Sequence, residues 1–215
     1  MKTILLKDAV ALIPDGASVM IGGFMGVGTP ERLVDELVRQ GKRNLTVIAN
    51  DNALPGIGIG KLISAGAVRK TIASHIGLNP ETQKKMLAGE LEVDLVPQGS
   101  LIERIRAGGF GLGGVLTPTG VGTVVEKGKQ RIEVEGKPYL LETSLRADFA
   151  LVQAFLADYI GNLYYALTAR NFNPVIAMAA DTVIVEADNI VPVGVIAPDQ
   201  VVTPAPVVDY ILSHA

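Results

Sequence analysis

Short apolar segments alternate with helical patterns through the first half of this 215-residue sequence. Candidate strands lie at about 17–21, 45–49, 68–74 and 91–96, and segments with helical spacing or helix-start signals separate them. Strands joined by helices predict a parallel sheet with right-handed crossovers. Hydrophobic residues make up 48% of the chain, which suits a sheet covered on both faces. The predicted fold class is therefore α/β: an open, mostly parallel sheet with helices on both faces.

The second half of the sequence departs from this alternation. Seven of the seventeen residues in 107–123 are glycine, which predicts a long functional loop. Residues 124–142 predict a small antiparallel β insertion, because turn signals separate its apolar segments. Further strands are expected at 150–154 and 183–186, a helix at 175–180 and a last short helix near Asp209. No linker or internal repeat divides the sequence, so residues 1–215 are expected to form a single domain.

Composition excludes several classes of function. The chain has no cysteine, which rules out thiol catalysis, thiolate metal sites and disulfides within it. Its net charge of −3 offers no basic footprint for nucleic acid. No apolar run approaches the roughly 20 residues that cross a bilayer, and the N-terminal segment lacks the pattern of a signal peptide. The sequence therefore predicts a cytoplasmic protein that binds neither nucleic acid nor membrane.

A glycine-rich loop follows the first strand. Residues 15–30 are D-G-A-S-V-M-I-G-G-F-M-G-V-G-T-P, and four of the seven residues from Gly22 to Gly28 are glycine. Because glycine has no Cβ, such a loop lets the backbone pass close to a large ligand. Outward N–H groups beside the N-terminus of the next helix would favour an anion. Thr29 is the expected N-cap of that helix, with Pro30 in its first position.

Polar residues stand at the carboxyl ends of two other strands, where open α/β sheets bind ligands. Asn50, Asp51 and Asn52 follow the second strand, and His75 follows the third. His75 either touches a ligand there or is a structural histidine. The other histidine, His214, is one residue from the end of the sequence, so the two histidines cannot form a metal triad.

Three familiar signatures fail on inspection. Residues 109–114 fit G-x-G-x-x-G, but they follow a predicted helix, whereas a dinucleotide fingerprint follows a strand. Gly60-Lys61 lacks the glycine and the hydroxyl residue that a P-loop needs at positions 55 and 62, and no G-x-S-x-G nucleophile elbow occurs. The residues alone thus predict an α/β domain with glycine-rich loops for a large, partly anionic ligand and no complete catalytic apparatus.

The first glycine-rich loop resembles the coenzyme-A-binding signature of the family I coenzyme A transferases. The matching positions are Asp15-Gly16, the apolar strand, Gly22-Gly23-Phe24, Gly28 and Pro30. Other motifs of that family recur in the same order: Asn50-Asp51, Ser74–Gly77, Val96–Gly99, Glu103–Gly109, Thr117–Thr123 and Asn171–Pro174. The similarity covers essentially the whole chain. It is greatest to alpha subunits of the acetate (acetoacetate) type, with the butyrate–acetoacetate type a near neighbour.

This resemblance implies a fold shared with phosphosugar isomerases and a short-chain acyl-CoA:carboxylate transferase. Such enzymes pair an alpha with a beta subunit, here as α2β2 or α4β4, and bind no tight cofactor; coenzyme A is a substrate. The chemistry is ping-pong, through a glutamyl-CoA thioester on a glutamate of the beta subunit. The family carries that glutamate in a Glu-Asn-Gly motif, which is absent from this sequence.

The resemblance also assigns site residues. The coenzyme-A-binding loop comprises Gly22, Gly23, Phe24, Met25, Gly26, Val27 and Gly28. Gln98 matches a glutamine that contacts the acid or the glutamyl ester; alternatively, it caps the following helix. Further candidates for the acyl pocket are Asn50, Asn52, His75, Gly109 and Gly111. No catalytic nucleophile and no metal ligand is expected in this chain.

Two other functions remain open at this point. A phosphosugar isomerase or deaminase would use glycine loops to hold a sugar phosphate, although no acid–base pair is evident. A non-enzymatic domain that binds coenzyme A or a sugar phosphate belongs to a different class.

Overall fold

A nine-stranded sheet forms the centre of the molecule, whose computed structural model describes residues 2–213. The strands are β1 (Lys2–Ile4), β2 (Ser18–Ile21), β3 (Leu45–Asp51), β4 (Val68–His75), β5 (Glu92–Leu95), β6 (Gly114–Thr117), β7 (Arg131–Val134), β8 (Lys137–Thr143), β9 (Ala147–Asp158), β10 (Leu163–Tyr164), β11 (Ala180–Val191) and β12 (Tyr210–Leu212). The helices are α1 (Leu6–Ala11), α2 (Glu31–Arg39), α3 (Ile59–Ser64), α4 (Pro80–Leu87), α5 (Gln98–Gly109) and α6 (Asn173–Ile176).

The strand order in the large sheet is β1-β12-β11-β9-β2-β3-β4-β5, and every pair along this path is parallel. The short β10 pairs antiparallel with β9. Because the strands run in one direction, their carboxyl ends meet at one edge of the sheet. The predicted parallel α/β architecture is confirmed.

Helices cover both faces of the sheet. Alternate residues of each central strand enter two separate hydrophobic cores, as the period of two in a strand requires. Val19 and Ile21 pack in the core that also contains residues of α1, α2 and α3, whereas Met20 packs with residues of α5 and α6. Strands buried on both faces explain the apolar composition noted above.

The small antiparallel insertion is also confirmed, but it begins earlier than predicted. Its strand order is β6-β8-β7, so β6 from within the glycine-rich segment joins the two later strands. The prediction that 107–123 is one long loop is therefore wrong. The helix α5 extends through Gly109, because Gly108 and Gly109 pack against the backbone of Leu145 and Met178, where a Cβ would not fit.

Two helices predicted for the C-terminal third differ from the structure in their bounds. Residues 175–180 do not form one helix, because α6 ends at Ile176 and β11 begins at Ala180. The last short helix expected near Asp209 is a 3₁₀ helix at Ala205–Val207, and Asp209 itself lies directly before the strand β12. Asp209 Oδ2 accepts the Val183 N–H (2.8 Å), which links the residue before β12 to the neighbouring strand β11. No helix within residues 2–213 is long and apolar enough to span a bilayer.

Asp148 joins the amino ends of β2 and β9 and provides a test of pH dependence. Its Oδ2 accepts both the Ser18 hydroxyl and the Ser18 N–H, each at 2.7 Å, and these bonds lower the pKa of the Asp148 carboxyl. The stability they supply is present above the ordinary aspartate pKa of about 3.9 and is lost as the pH falls through the lower folded-state pKa. We expect Asp148→Asn to lower the melting temperature at pH 7. The difference from wild type should shrink below about pH 4, and a difference that stays constant down to pH 3 would contradict this.

Candidate active site

A cavity of about 210 Å³ opens at the carboxyl edge of the sheet, between the ends of β2, β3 and β4 and the start of α5. Its lining residues are Phe24, Met25, Asn50, Asp51, Ser74, His75, Leu78 and Gln98. The glycine-rich loop thus supplies an apolar wall, and the strand ends and α5 supply a polar one. The structure brings together five of the predicted site residues from separate parts of the chain: Phe24, Met25, Asn50, His75 and Gln98.

The polar wall is a continuous hydrogen-bond network. Gln98 Nε2 donates to Asn50 Oδ1, and Asn50 Nδ2 donates to Asp51 Oδ2 (2.7 Å). The Ser74 hydroxyl donates to the Asn50 carbonyl oxygen at 2.7 Å. Asn50 and Asp51 are the last residues of β3, so the strand continues past Ala49, where its end was predicted. Both side chains are at most 5% exposed.

Gln98 does not cap its own helix. The N-cap position of α5 is Pro97, and no side chain caps that end. Instead, the Gln98 side chain reaches across to β3. The alternative prediction that Gln98 serves as a helix cap is therefore wrong.

The glycine-rich loop forms a tight turn in which the N–H groups of Phe24, Met25 and Val27 bond within the protein. Phe24 and Val27 exchange two backbone hydrogen bonds of 2.9 Å, and the residues between them, Met25 (φ 53°) and Gly26 (φ 91°), have the positive φ values of a type I′ turn. The Met25 N–H donates to Asp51 Oδ2 at 3.0 Å. A carboxylate at this point disfavours an anion. The N–H groups of Phe24, Met25 and Val27 are therefore not the outward donors that the sequence predicted.

The N-terminus of α2 is likewise occupied from within. The Glu186 carboxylate on β11 accepts the N–H groups of Arg32 (3.2 Å) and Leu33 (3.0 Å). Burial raises the pKa of this carboxyl, and the two N–H bonds oppose that effect. Thr29 was the expected N-cap, but Pro30 holds that position and no side chain of the N-cap residue bonds to the helix. Glu186 satisfies these backbone donors, so this helix end offers no ready site for a phosphate.

Three predicted pocket residues lie elsewhere. The Asn52 side chain is buried away from the cavity, where it accepts from the Thr71 hydroxyl (3.0 Å) and donates to the Thr82 hydroxyl (3.4 Å). Gly109 ends α5 eleven residues after Gln98, which corresponds to roughly 16 Å along a helix. Gly111 follows beyond that end. The cavity in this chain therefore does not include them.

Asn173, which the sequence analysis did not single out as a site residue, anchors the glycine-rich loop. Its Nδ2 donates to the carbonyl oxygens of Gly28 and Ala169, both at 2.9 Å, and its Oδ1 accepts the Gln153 N–H at 2.9 Å. A Cβ on Gly22 would lie 1.8 Å from Asn173 Oδ1. Gly22 thus lacks a side chain because Asn173 occupies that space. The Asn-Phe-Asn-Pro motif was the available signal in the sequence, but it did not say which asparagine makes the contact.

Comparison with known proteins assigns the chain to a family. Residues 3–214 match the family model described as Coenzyme A transferase. The chain belongs to this family. The acetate CoA-transferase subunit alpha of Escherichia coli is 58% identical over 211 residues, which are 98% of this chain and 96% of that protein. The acetoacetyl-CoA:acetate/butyrate CoA transferase alpha subunit of Clostridium acetobutylicum is 52% identical over 213 residues, 99% of this chain and 98% of that one. The resemblance to alpha subunits of family I coenzyme A transferases is confirmed.

Solved structures of the family share the fold. An Escherichia coli acyl-CoA transferase, crystallised as a thioester complex with CoA, has a TM-score of 0.87 at 23% identity. The match covers 98% of this chain and 46% of that one, so the present coenzyme A transferase chain spans less than half its length. The decarboxylase AibA/AibB is 28% identical with a TM-score of 0.81, over 99% of this chain and 83% of that chain. The fold is thus shared by proteins named for different reactions.

Proposed function

We propose that this chain is the alpha subunit of a short-chain acyl-CoA:carboxylate CoA-transferase that converts an acyl-CoA and acetate into the free acid and acetyl-CoA. The main support is the 58% identity to the Escherichia coli acetate CoA-transferase subunit alpha over nearly the full length of both chains. Such identity supports a shared reaction, whereas the fold alone does not. As the sequence predicts, we place this enzyme in the cytoplasm.

The cavity supports a division of the active site between two subunits. Of its eight lining residues, only Asp51 carries a carboxylate. Its oxygens already accept three N–H groups, from Met25, Ala53 and the Asn50 side chain. A carboxylate so engaged is a poor nucleophile, and its Oδ2 turns toward the loop. The nucleophilic glutamate is therefore proposed to come from a beta subunit.

The proposed reaction follows the ping-pong route of the family. The partner's glutamate attacks the acyl-CoA thioester, which gives a mixed anhydride and releases CoA thiolate. The thiolate then attacks the glutamyl carbonyl, which forms the enzyme–CoA thioester and frees the first acid. Acetate reverses these two steps and leaves as acetyl-CoA. In this chain, an amide N–H group of Gln98 is proposed to donate to the oxygen that becomes negative, as neutral donors do in oxyanion sites.

The size and polarity of the cavity favour a small acyl or carboxylate group as its occupant. Its volume of about 210 Å³ is below the roughly 300–1,000 Å³ of pockets that enclose drug-sized ligands. Phe24, Met25 and Leu78 provide an apolar wall for a short acyl chain. We propose that the loop from Gly22 to Gly28 shapes this acyl pocket and the approach of the thioester. The internally used N–H groups argue against phosphate binding by the turn itself.

Exposed apolar side chains around the same edge support a partner there. Large apolar residues that follow the carboxyl ends of β2, β3, β4, β9 and β11 are exposed: Met25, Val27, Leu54, Ile57, Leu78, Tyr159, Ile160, Val193 and Val195. Apolar surface of this kind is typical of protein interfaces. We propose that the beta subunit covers this edge in a hetero-oligomer, α2β2 or α4β4.

Isotope exchange tests this proposal. The chain is purified alone and in complex with its beta partner, and labelled acetate is followed into acetyl-CoA. We expect exchange by the complex and none by the chain alone, because the nucleophile is absent from it. A complex whose partner glutamate is changed to glutamine is the matched control and should be inactive.

The outcomes separate the alternatives. Exchange by the chain alone would overturn the divided site. A stable complex without exchange for any short acyl-CoA and acid would overturn the transferase function. Turnover of a phosphosugar by either sample would favour the isomerase alternative.

A further inference from the structure

Asp51 lines the cavity beside Asn50, and its hydrogen bonds reach Gln98 only through that residue. Its Oδ2 accepts from Met25 N–H (3.0 Å) and Asn50 Nδ2 (2.7 Å), and its Oδ1 accepts from Ala53 N–H (2.7 Å). An ionised carboxylate can only accept hydrogen bonds. Asp51 is therefore the fixed acceptor end of the network.

This acceptor determines which way the Asn50 amide faces. An asparagine amide has a donor end and an acceptor end of nearly equal shape. If it were flipped, the Asn50 oxygen would face the Asp51 carboxylate, and two acceptors would repel each other. Asp51 thus holds the Asn50 nitrogen toward itself and the Asn50 oxygen toward α5.

The same logic extends to Gln98. Since Asn50 presents an oxygen, Gln98 must present its nitrogen, and Gln98 Nε2 does donate to Asn50 Oδ1. An amide nitrogen carries two N–H groups. One is used by Asn50, and the other is left for a ligand in the cavity that Gln98 lines. A flipped Gln98 would present an oxygen to Asn50, and the pair would lose its bond.

We propose that Asp51 is a positioning residue, which sets the amide orientation of Gln98 through Asn50 so that an N–H faces the reacting oxygen. This inference rests on the proposed function, because it assigns Gln98 the role of a donor in CoA transfer. Asp51 acts on Gln98 indirectly, through the hydrogen bonds that join Asp51 to Asn50 and Asn50 to Gln98.

The substitution Asp51→Asn tests the proposal with little change in shape. An asparagine has one acceptor oxygen, so it cannot accept at both of the positions where Asp51 now accepts. Whichever way it turns, an N–H group faces another N–H group. Because an asparagine can accept from Asn50 in one orientation and donate to it in the other, the Asn50 amide is no longer held one way, and neither is Gln98.

Rates of the reconstituted complex are measured in a double-mutant cycle with Gln98→Ala. We expect Asp51→Asn to lower kcat at least tenfold in the wild-type background, with a smaller change in KM for acyl-CoA. In the Gln98→Ala background the same substitution should cost less than threefold, because the group it positions has been removed. Asp51 also holds the Met25 turn, and that structural contribution would lower both backgrounds equally.

Asp158→Asn is the matched control. Asp158 also ends a strand at this edge, is 1% exposed, and accepts N–H groups of Ile160, Gly161 and Asn162 together with the Asn162 side chain. This variant should lose stability but keep kcat. If Asp51→Asn does not assemble, Asp51→Ser replaces it, since a serine hydroxyl still supports a local turn but cannot reach Asn50.

Equal losses in both backgrounds, or a wild-type kcat in Asp51→Asn, would overturn the positioning role. An inactive wild-type complex would overturn the proposed function instead. In that case a neutron structure of the Asp51→Asn complex, which distinguishes amide nitrogen from oxygen, decides the matter separately: a Gln98 nitrogen that still donates to Asn50 overturns the proposal, and a reversed or displaced Gln98 amide supports it.

Discussion

Replacing Gln98 with alanine is expected to lower kcat of the reconstituted enzyme by roughly one to three orders of magnitude, a loss on the scale of about 3–4 kcal/mol at its upper end. The side chain lines the cavity and donates to Asn50, so its second N–H is the group offered to the oxyanion or the acid. A donor used mainly in the transition state affects kcat and kcat/KM alike. Initial rates at varied acyl-CoA and acetate separate the two.

The control for this prediction is Gln40→Ala. Gln40 follows α2 and also donates from Nε2, but to the Lys7 carbonyl oxygen (2.8 Å) and the Glu36 carboxylate (2.6 Å), outside the cavity residues. That variant should keep the wild-type rate. Wild-type rates in Gln98→Ala would exclude Gln98 from the chemistry. If Gln98→Ala fails to bind the beta subunit, Gln98 has a structural role. Size-exclusion chromatography detects that loss of binding.

Local patterns in the sequence were sufficient for the parallel half of the sheet. β2, β3, β4 and β5 fall within two residues of their predicted bounds, because turn or helix-start signals flank each of them, and β2 and β3 are also largely buried apolar segments. The long strands β9 and β11 were predicted only at their centres. Polar or exposed residues interrupt the apolar pattern toward their ends, and pairing with each other, as in Ala180 with Ala147 and Val191 with Asp158, extends them to twelve residues.

The short strands β1 and β12 were not predicted, because their stability comes from partners that are distant in the sequence. β1 and β12 have three residues each and pair with one another across almost the whole chain length. Likewise, the glycines that end α5 read as loop residues in the sequence. They remain helical because neighbouring backbone packs where their side chains would be. Tertiary packing overrides local propensity in both cases.

Part of the site followed from topology alone. Parallel strands place their carboxyl ends at one edge, which brought Asn50 and His75 together as candidates, and the family resemblance added Gln98. The same rule could not tell Asn50, whose side chain bonds to Gln98 and Asp51, from Asn52, whose side chain bonds to Thr71 and Thr82. The contacts of Asp51 with Met25 and of Asn173 with Gly28 join residues 26 and 145 positions apart. No local pattern predicts such bonds.

The largest loss of stability is expected where Gly22 meets Asn173. In Gly22→Ala the new Cβ would lie 1.8 Å from Asn173 Oδ1 and 2.4 Å from its Cγ. Asn173 is fully buried and cannot turn away without losing its bonds to Gly28, Ala169 and Gln153. Overpacking of this kind costs about 1–3 kcal/mol, and each buried group left without a partner about 1–3 more. We expect the melting temperature of the complex to fall by several degrees or more.

Gly113→Ala is the matched control, because no atom lies within 4 Å of its Cβ position. Asn173→Ala should be as damaging as Gly22→Ala, since it leaves two carbonyl oxygens and one N–H without partners. The double variant, Gly22→Ala with Asn173→Ala, tests the cause, because it removes the amide atoms with which the Cβ of residue 22 would clash. Its melting temperature should therefore lie close to that of Asn173→Ala alone. An additive loss would contradict the steric explanation.

The double variant and Asn173→Ala also distinguish two reasons for a glycine at position 22. If Gly22 is needed for the close approach of coenzyme A, its Cβ obstructs the ligand whether or not Asn173 is present. KM for acyl-CoA would then be higher in the double variant than in Asn173→Ala. If Gly22 is needed only because Asn173 fills that space, the two KM values should agree. We expect the two KM values to agree, because the Asn173 side chain already fills the space that a Cβ on residue 22 would occupy.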